Sequence, residues 1–87
     1  MVYVILVYDV GVDRVNKVLK ISREYLTWVQ NSVLEGEITD ADIITLSHRL
    51  REVIDEVADS VTFYIMNRKY ENRLSLGRIK GEPTVIF

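Results

Sequence analysis

The chain has 87 residues, a net charge of −2 and no cysteine, which indicates one small domain and excludes disulfide bonds and thiolate zinc sites. Its 48% apolar and 28% charged residues are typical of a folded globular protein and exclude a disordered one. The acidic charge is concentrated in residues 35–59, which hold eight acidic and two basic side chains. Both ends are mildly basic, so a local basic surface is compatible with the acidic total.

Residues 2–9 form an unbroken apolar run that ends in one carboxylate, Asp9. The β-branched and aromatic residues of this run predict a central β-strand that is covered on both faces. The run has no basic lead-in and is far shorter than the ~20 residues of a membrane span, so we expect no signal peptide, no membrane contact and a cytoplasmic protein. Asp9 either marks the edge of a functional site or bonds backbone amides in a turn. Tyr8 is expected on the opposite face of the strand.

The next segment predicts a helix followed by two short strands. Asp13 is expected to cap the helix, whose apolar residues recur at helical spacing and whose outer face is basic. The period changes at residues 26–36, which predicts a hairpin with its turn near Asn31-Ser32, or alternatively one bent strand. Gly36 is expected to end this segment.

A second helix is predicted to begin after Thr39 as its N-cap. Asp40 and Asp42 suit the positive end of the helix dipole, an explanation that we prefer to a metal site. The apolar stripe of this helix is expected to consist of Ile43, Leu46, Leu50, Val53, Ile54 and Val57. Residues 61–66 predict a core strand and residues 73–76 a short edge strand.

The order strand, helix, strand, strand, helix, strand predicts an α+β, ferredoxin-like (βαββαβ) fold with an antiparallel four-stranded sheet and two helices on one face. Residues 1–87 are expected to form this single domain, with its core in residues 1–67. Residues 68–87 are expected to add a C-terminal extra strand at the edge and a tail that docks on a second copy. Because the face without helices is also apolar, we expect a homodimer about a two-fold axis.

In such a homodimer, the Asp9 carboxylates of the two copies are expected to lie close together near the axis. Two facing carboxylates repel each other unless they share a proton or a cation, and Mg²⁺ or Mn²⁺ prefers oxygen ligands of this kind. A metal ion there polarises a phosphate and activates water. The residues alone leave open whether Asp9 does this or bonds turn amides.

Several motifs together resemble the family of small CRISPR-associated proteins of spacer acquisition, which are often described as endoribonucleases. The motifs are Tyr8-Asp9-Val10, Arg14 with Lys17-Val18, the run Val-Gln-Asn-Ser-Val-Leu-Glu-Gly at residues 29–36, and Asp59-Ser60-Val61. The resemblance covers residues 2–67. Its specificity comes from the distance between the strand-terminal aspartate and the Gln-Asn-Ser-Val segment.

The resemblance implies a ferredoxin-like homodimer that acts with the CRISPR integrase in spacer acquisition. It implies a metal-dependent endonuclease for single-stranded RNA or double-stranded DNA, in which Asp9 is catalytic and binds a Mg²⁺ ion (or Mn²⁺) shared between the two subunits. The alternative is a non-catalytic dimeric scaffold that bridges integrase subunits and contacts the DNA backbone. A third hypothesis is a small ligand-binding regulatory domain of the same fold.

Basic side chains are the candidates for contacts with the nucleic-acid backbone. Arg14, one turn into the helix that follows Asp9, is predicted either to hold a phosphate or to form a surface ion pair. The other candidates for nucleic-acid binding are Lys17, Lys20, Arg23, Arg68, Lys69, Arg73 and Arg78. Each of these is also explained as a solvated surface charge.

Overall fold

Two α-helices cover one face of a five-stranded antiparallel sheet in the computed structural model, which describes residues 1–66 and 71–77. The strands are β1 (Val2–Asp9), β2 (Thr27–Gln30), β3 (Val33–Ile38), β4 (Ser60–Met66) and β5 (Glu71–Gly77). The helices are α1 (Val15–Ser22) and α2 (Asp40–Arg51). The order across the sheet is β2-β3-β1-β4-β5. Its first four strands confirm the predicted ferredoxin-like arrangement, and β5 adds an edge strand next to β4.

The two faces of the central strand β1 differ in burial. Val4, Leu6 and Tyr8 are buried under the helices, whereas Ile5 is half-buried on the other face and Asp9 is exposed. Successive side chains of a strand point to opposite faces, so Tyr8 and Asp9 lie on opposite sides, as predicted. Among the described residues, the chain therefore covers only one face of β1. None of the helices in the described part of the chain is long and apolar enough to cross a membrane.

The start of α1 differs from the prediction. The residue at its N-cap is Arg14, which makes no capping hydrogen bond through its side chain. The carboxylate of Asp13 instead accepts a hydrogen bond from Arg14 Nη1 at 3.1 Å. The prediction of Asp13 as the cap was wrong because the neighbouring guanidinium engages its carboxylate.

The hairpin between α1 and α2 is formed by β2 and β3. Asn31 in its turn has a φ of 38°, the left-handed conformation that asparagine tolerates and that the sequence predicted. Gly36 does not end β3, which continues to Ile38, and Gly36 pairs with Val4 of β1 instead.

α2 begins at its predicted cap, where Thr39 Oγ1 accepts a hydrogen bond from the Asp42 amide at 3.0 Å. The helix ends at Arg51, so Val57 lies outside it and is 82% exposed. The prediction that Val57 belongs to the apolar stripe was wrong. The Asp55 amide donates to Asp59 Oδ2 and the Val57 amide to Asp55 Oδ1, each at 2.9 Å. These amides therefore bond carboxylates and not the carbonyls four residues back that a continuing helix uses.

Replacing the cap tests how α2 begins. Thr39→Ala is expected to lower the free energy of unfolding by about 1 kcal/mol, because an amide in the first turn loses its acceptor. Thr45→Ala is the matched control, since Thr45 is exposed in the middle of the same helix. Urea unfolding followed by circular dichroism measures both variants. Equal effects of the two substitutions would contradict the assigned cap.

Candidate active site

Asp9 is the last residue of β1 and lies exposed at one end of the sheet. It pairs with Ser60, the first residue of β4. The strand alternation places it on the sheet face without helices, in line with Ile5 and Val7. An exposed carboxylate thus stands at the end of a strip of half-buried apolar side chains.

This helix-free surface, here called the open face, is apolar along its centre. Ile5 of β1 lies between Glu35 of β3 and Tyr64 of β4 in the register of the sheet. A hydrogen bond with Glu35 is the main reason why the pKa of Tyr3 is raised. The half-buried apolar and aromatic residues of the open face are Tyr3, Ile5, Val7, Val33, Tyr64 and Met66.

A buried carboxylate, that of Asp59, joins the loop after β1 to the segment that leads into β4. Asp59 is 1% exposed. Its Oδ1 accepts hydrogen bonds from the Gly11 amide at 2.9 Å and from Arg14 Nη2 at 3.0 Å. Its Oδ2 accepts hydrogen bonds from Arg14 Nε and, at 2.9 Å, from the Asp55 amide. We call these four residues, Gly11, Arg14, Asp55 and Asp59, the Asp59 clamp.

The charges of the clamp stabilise each other. Hydrogen bonds from Arg14 hold the pKa of the Asp59 carboxyl well below its ordinary value; burial opposes this effect, and the Asp55 and Gly11 amides add to it. The same pairing raises the pKa of Arg14. Both groups are therefore charged throughout the neutral range. Of the two predictions for Arg14, the ion pair is present, but its main partner is buried and not on the surface.

Gly11 lies against the end of the Arg14 side chain. A Cβ there would lie 2.5 Å from Arg14 Nη2 and 3.0 Å from Asp13 Oδ1. Because Arg14 Nη2 donates to Asp59, a side chain at position 11 requires the guanidinium to shift relative to its partner. Glycine at this position thus suits the geometry of the clamp.

The other predicted basic residues are dispersed over the fold. Lys17 and Lys20 are exposed on α1, and the guanidinium carbon of Arg23 lies 5.7 Å from the centroid of the Trp28 ring. Arg73 is in β5, where it pairs with Tyr64. Arg68, Lys69 and Arg78 lie outside the described residues, as does the predicted docking tail after Gly77. Among the candidates in residues 1–66, Arg14 alone bonds Asp59, the residue that also accepts a hydrogen bond from the Gly11 amide after β1.

The side chain of Asp9 is of the chemical type that binds a hard divalent cation. Carboxylate oxygens are the ligands that Mg²⁺ prefers. Within residues 1–66 and 71–77 of one chain, however, no group of three or more His, Cys, Asp or Glu side chains is placed to hold a metal ion. A magnesium ion at Asp9 would therefore need ligands beyond those that the described residues of one chain supply.

The role of Asp59 was not predicted from the sequence, in which it stands out only as part of the Asp59-Ser60-Val61 motif. The signal available in the sequence was an acidic residue directly before a predicted core strand. An arginine after a short loop, far upstream in the chain, was the possible partner. Acidic residues are rarely buried unless they are paired, so this position called for a cationic partner.

The amino-acid sequence matches known proteins over most of its length. The model of the family described as CRISPR associated protein Cas2 matches residues 1–74. Two curated relatives, from Methanosarcina acetivorans and Dictyoglomus turgidum, are named CRISPR-associated endoribonuclease Cas2. They are 49% and 54% identical to this chain over 86 residues, which are 98% of this chain and 99% of each relative.

Solved structures show the same fold. One described as the crystal structure of cas2 has a TM-score of 0.73 at 43% identity, covering 99% of this chain and 98% of that one. Another, of Streptococcus pyogenes Cas2 at pH 6.5, has a TM-score of 0.69 at 36% identity, covering 77% of this chain and 88% of that one.

Proposed function

This chain belongs to the CRISPR-associated protein Cas2 family, and we propose that it is a homodimeric, Mg²⁺-dependent endonuclease that acts with the CRISPR integrase in spacer acquisition. The relatives that are named endoribonucleases support cleavage of RNA, and double-stranded DNA is the second candidate substrate. The observation that carries the proposal is the exposed carboxylate of Asp9 at the end of the central strand, on the open face.

The second copy is proposed to cover the open face. Ile5, Val7 and Tyr64 are half-buried there, and burying them against the same residues of a second copy removes apolar surface from water. A two-fold contact of this kind uses the same patch on both chains. It also brings a second Asp9 carboxylate close to the first.

The two Asp9 side chains are proposed to hold one Mg²⁺ ion, or Mn²⁺, with water as the remaining ligands. When bound, such an ion polarises a phosphate and lowers the pKa of a water molecule. The protein's part is to present Asp9 where a phosphodiester can reach it. Lys17, with Arg68, Lys69 and Arg73, is proposed to contact the nucleic-acid backbone through sequence-independent, salt-sensitive interactions. Arg14 is not included, because carboxylates engage its Nε, Nη1 and Nη2.

Replacing the carboxylate by its amide tests the proposal. Asp9→Asn is expected to abolish Mg²⁺- or Mn²⁺-dependent cleavage of labelled single-stranded RNA, because the amide keeps the shape and removes the charge that binds the ion. Double-stranded DNA is assayed in parallel. Asp40→Asn is the matched control, since Asp40 is an exposed acid in the first turn of α2, and it is expected to keep full activity. Equal cleavage by wild type and Asp9→Asn would contradict the proposal.

A scaffold that bridges integrase subunits and contacts the DNA backbone is the second candidate. It is favoured by the absence of a three-residue metal site in the described part of one chain. Spacer acquisition in cells separates the two candidates. Acquisition that depends on this chain but survives Asp9→Asn supports the scaffold, and acquisition that fails in the variant supports the nuclease.

A further inference from the structure

We infer that the Asp59 clamp is a positioning device for Asp9, with Arg14 and Asp59 as its positioning residues. The inference rests on the proposed role of Asp9 as the residue that binds the metal ion. None of the clamp residues is expected to touch the substrate. They act by fixing the backbone on both sides of the Asp9 carboxylate.

The clamp closes the end of the sheet at which Asp9 lies. Asp9 pairs with Ser60 in the β1–β4 ladder, and the next residue on the β4 side is Asp59. Two residues beyond Asp9, the amide of Gly11 donates to the Asp59 carboxylate at 2.9 Å. Residues 9–11 and 59–60 therefore form a ring closed by backbone pairing at one side and by the carboxylate at the other. A strand end that leads into a loop is ordinarily a place of local opening, and this ring opposes such opening.

Arg14 holds the closing carboxylate in one orientation. Its Nε and Nη2 donate to the two different oxygens of Asp59, a forked geometry that arginine makes and lysine does not. The side chain of Arg14 is 25% exposed while that of Asp59 is 1% exposed, so the pair sits at the boundary of the core. Through it, the start of α1 is tied to the same ring.

A purely structural ion pair would affect the amount of folded protein and nothing else. Positioning predicts more than that, because a small displacement of a catalytic group lowers the rate in protein that remains folded. Partners that orient metal-binding residues typically contribute about 10–100-fold to activity or metal affinity. The two roles are therefore distinguished by measurements on fully folded protein.

The test compares Asp59→Asn, Arg14→Lys and Gly11→Ala at a temperature at which circular dichroism shows every variant folded. We expect kcat for single-stranded RNA to fall by about 10–100-fold in Asp59→Asn and Gly11→Ala, with KM unchanged. Arg14→Lys, which keeps the charge and loses the fork, is expected to lie between these variants and wild type. Hydrogen exchange of the Val10 and Gly11 amides, followed by NMR, is expected to be faster in all three variants.

Two control variants perturb an ion pair and a core side chain that are not part of the clamp. Glu24→Gln breaks the ion pair between Arg49 and Glu24, whose oxygens lie 2.8 and 3.2 Å from the Arg49 nitrogens, and is expected to leave kcat and the exchange of both amides unchanged. Leu50→Ala destabilises the buried core without changing any residue of the clamp, and is expected to keep the wild-type kcat while folded. A kcat that falls equally in Leu50→Ala would overturn the inference.

The outcomes separate this inference from the proposed function. Wild-type kcat in Asp59→Asn, with Asp9→Asn inactive, overturns the positioning role and leaves the nuclease proposal intact. If wild type itself cleaves nothing, the nuclease proposal fails. The amide-exchange measurements then test by themselves whether the clamp fixes the backbone next to Asp9. Exchange at Val10 and Gly11 that is faster in Arg14→Lys than in Leu50→Ala then supports the clamp, and equal exchange overturns it.

Discussion

Asp59→Asn is expected to lower the free energy of unfolding by about 3 kcal/mol at neutral pH, because Arg14 loses its buried partner and keeps only the exposed Asp13, while two backbone amides lose a charged acceptor. Asp59 is 1% exposed and accepts hydrogen bonds from Arg14 and from two backbone amides. The asparagine has almost the same volume but presents N–H donors to groups that are themselves donors. The loss therefore reports on charge and hydrogen bonding and not on a cavity.

The same carboxylate gives stability a defined pH dependence. The pKa of Asp59 is lowered in the folded protein, so its contribution is fully present above the unfolded pKa of about 3.9 and is lost as the pH falls toward the folded pKa. Wild-type stability is expected to decrease in this acid range, and Asp59→Asn is expected to show a flatter curve. Urea unfolding at a series of pH values measures both.

A control for this pH dependence is Glu24→Gln. The pKa of Glu24 is also lowered, chiefly by a hydrogen bond from Arg49, but its side chain is 51% exposed. Ion pairs at the surface contribute little to stability, so the acid limb of Glu24→Gln is expected to follow that of wild type. An acid limb in Asp59→Asn as steep as that of wild type would contradict the assignment of the buried pair.

The parts of the fold that local signals determine were predictable from the sequence. The apolar run of β1, the left-handed residue Asn31 and the cap Thr39 each depend on a few neighbouring residues, and each was predicted correctly. The order of these elements then restricted the topology to the ferredoxin-like arrangement. The position of Asp9 at an exposed strand end followed from the same local pattern.

The features that depend on distant residues were not predictable in this way. Arg14 and Asp59 are 45 positions apart in the chain, and no local pattern indicates that they meet. Both departures from the predicted helix boundaries adjoin this contact: Asp13 bonds Arg14 in place of capping α1, and the Asp55 amide donates to Asp59 beyond the end of α2. Competing side-chain hydrogen bonds overrode local propensity at the start of α1 and after the end of α2.

Ile5→Lys is expected to convert the proposed homodimer into a folded monomer without cleavage activity. Ile5 lies at the centre of the open face, half-buried in the single chain, so a long side chain there can reach solvent when no second copy is present. In a two-fold dimer the substitution places two ammonium groups in one apolar contact, and burying unpaired charges is strongly unfavourable. Ile44→Lys is the matched control, because Ile44 is 59% exposed on α2, away from the open face.

Sedimentation at micromolar concentration and the RNA cleavage assay are made on the same samples. Wild type and Ile44→Lys are expected to sediment as dimers and to cleave RNA, whereas Ile5→Lys does neither. A monomeric wild type would contradict the shared metal site, and a monomeric Ile5→Lys that still cleaves would show that one Asp9 carboxylate is sufficient. Since the proposed ion takes one carboxylate from each chain, the specific activity of wild type should also fall on dilution, at the concentration at which the dimer dissociates.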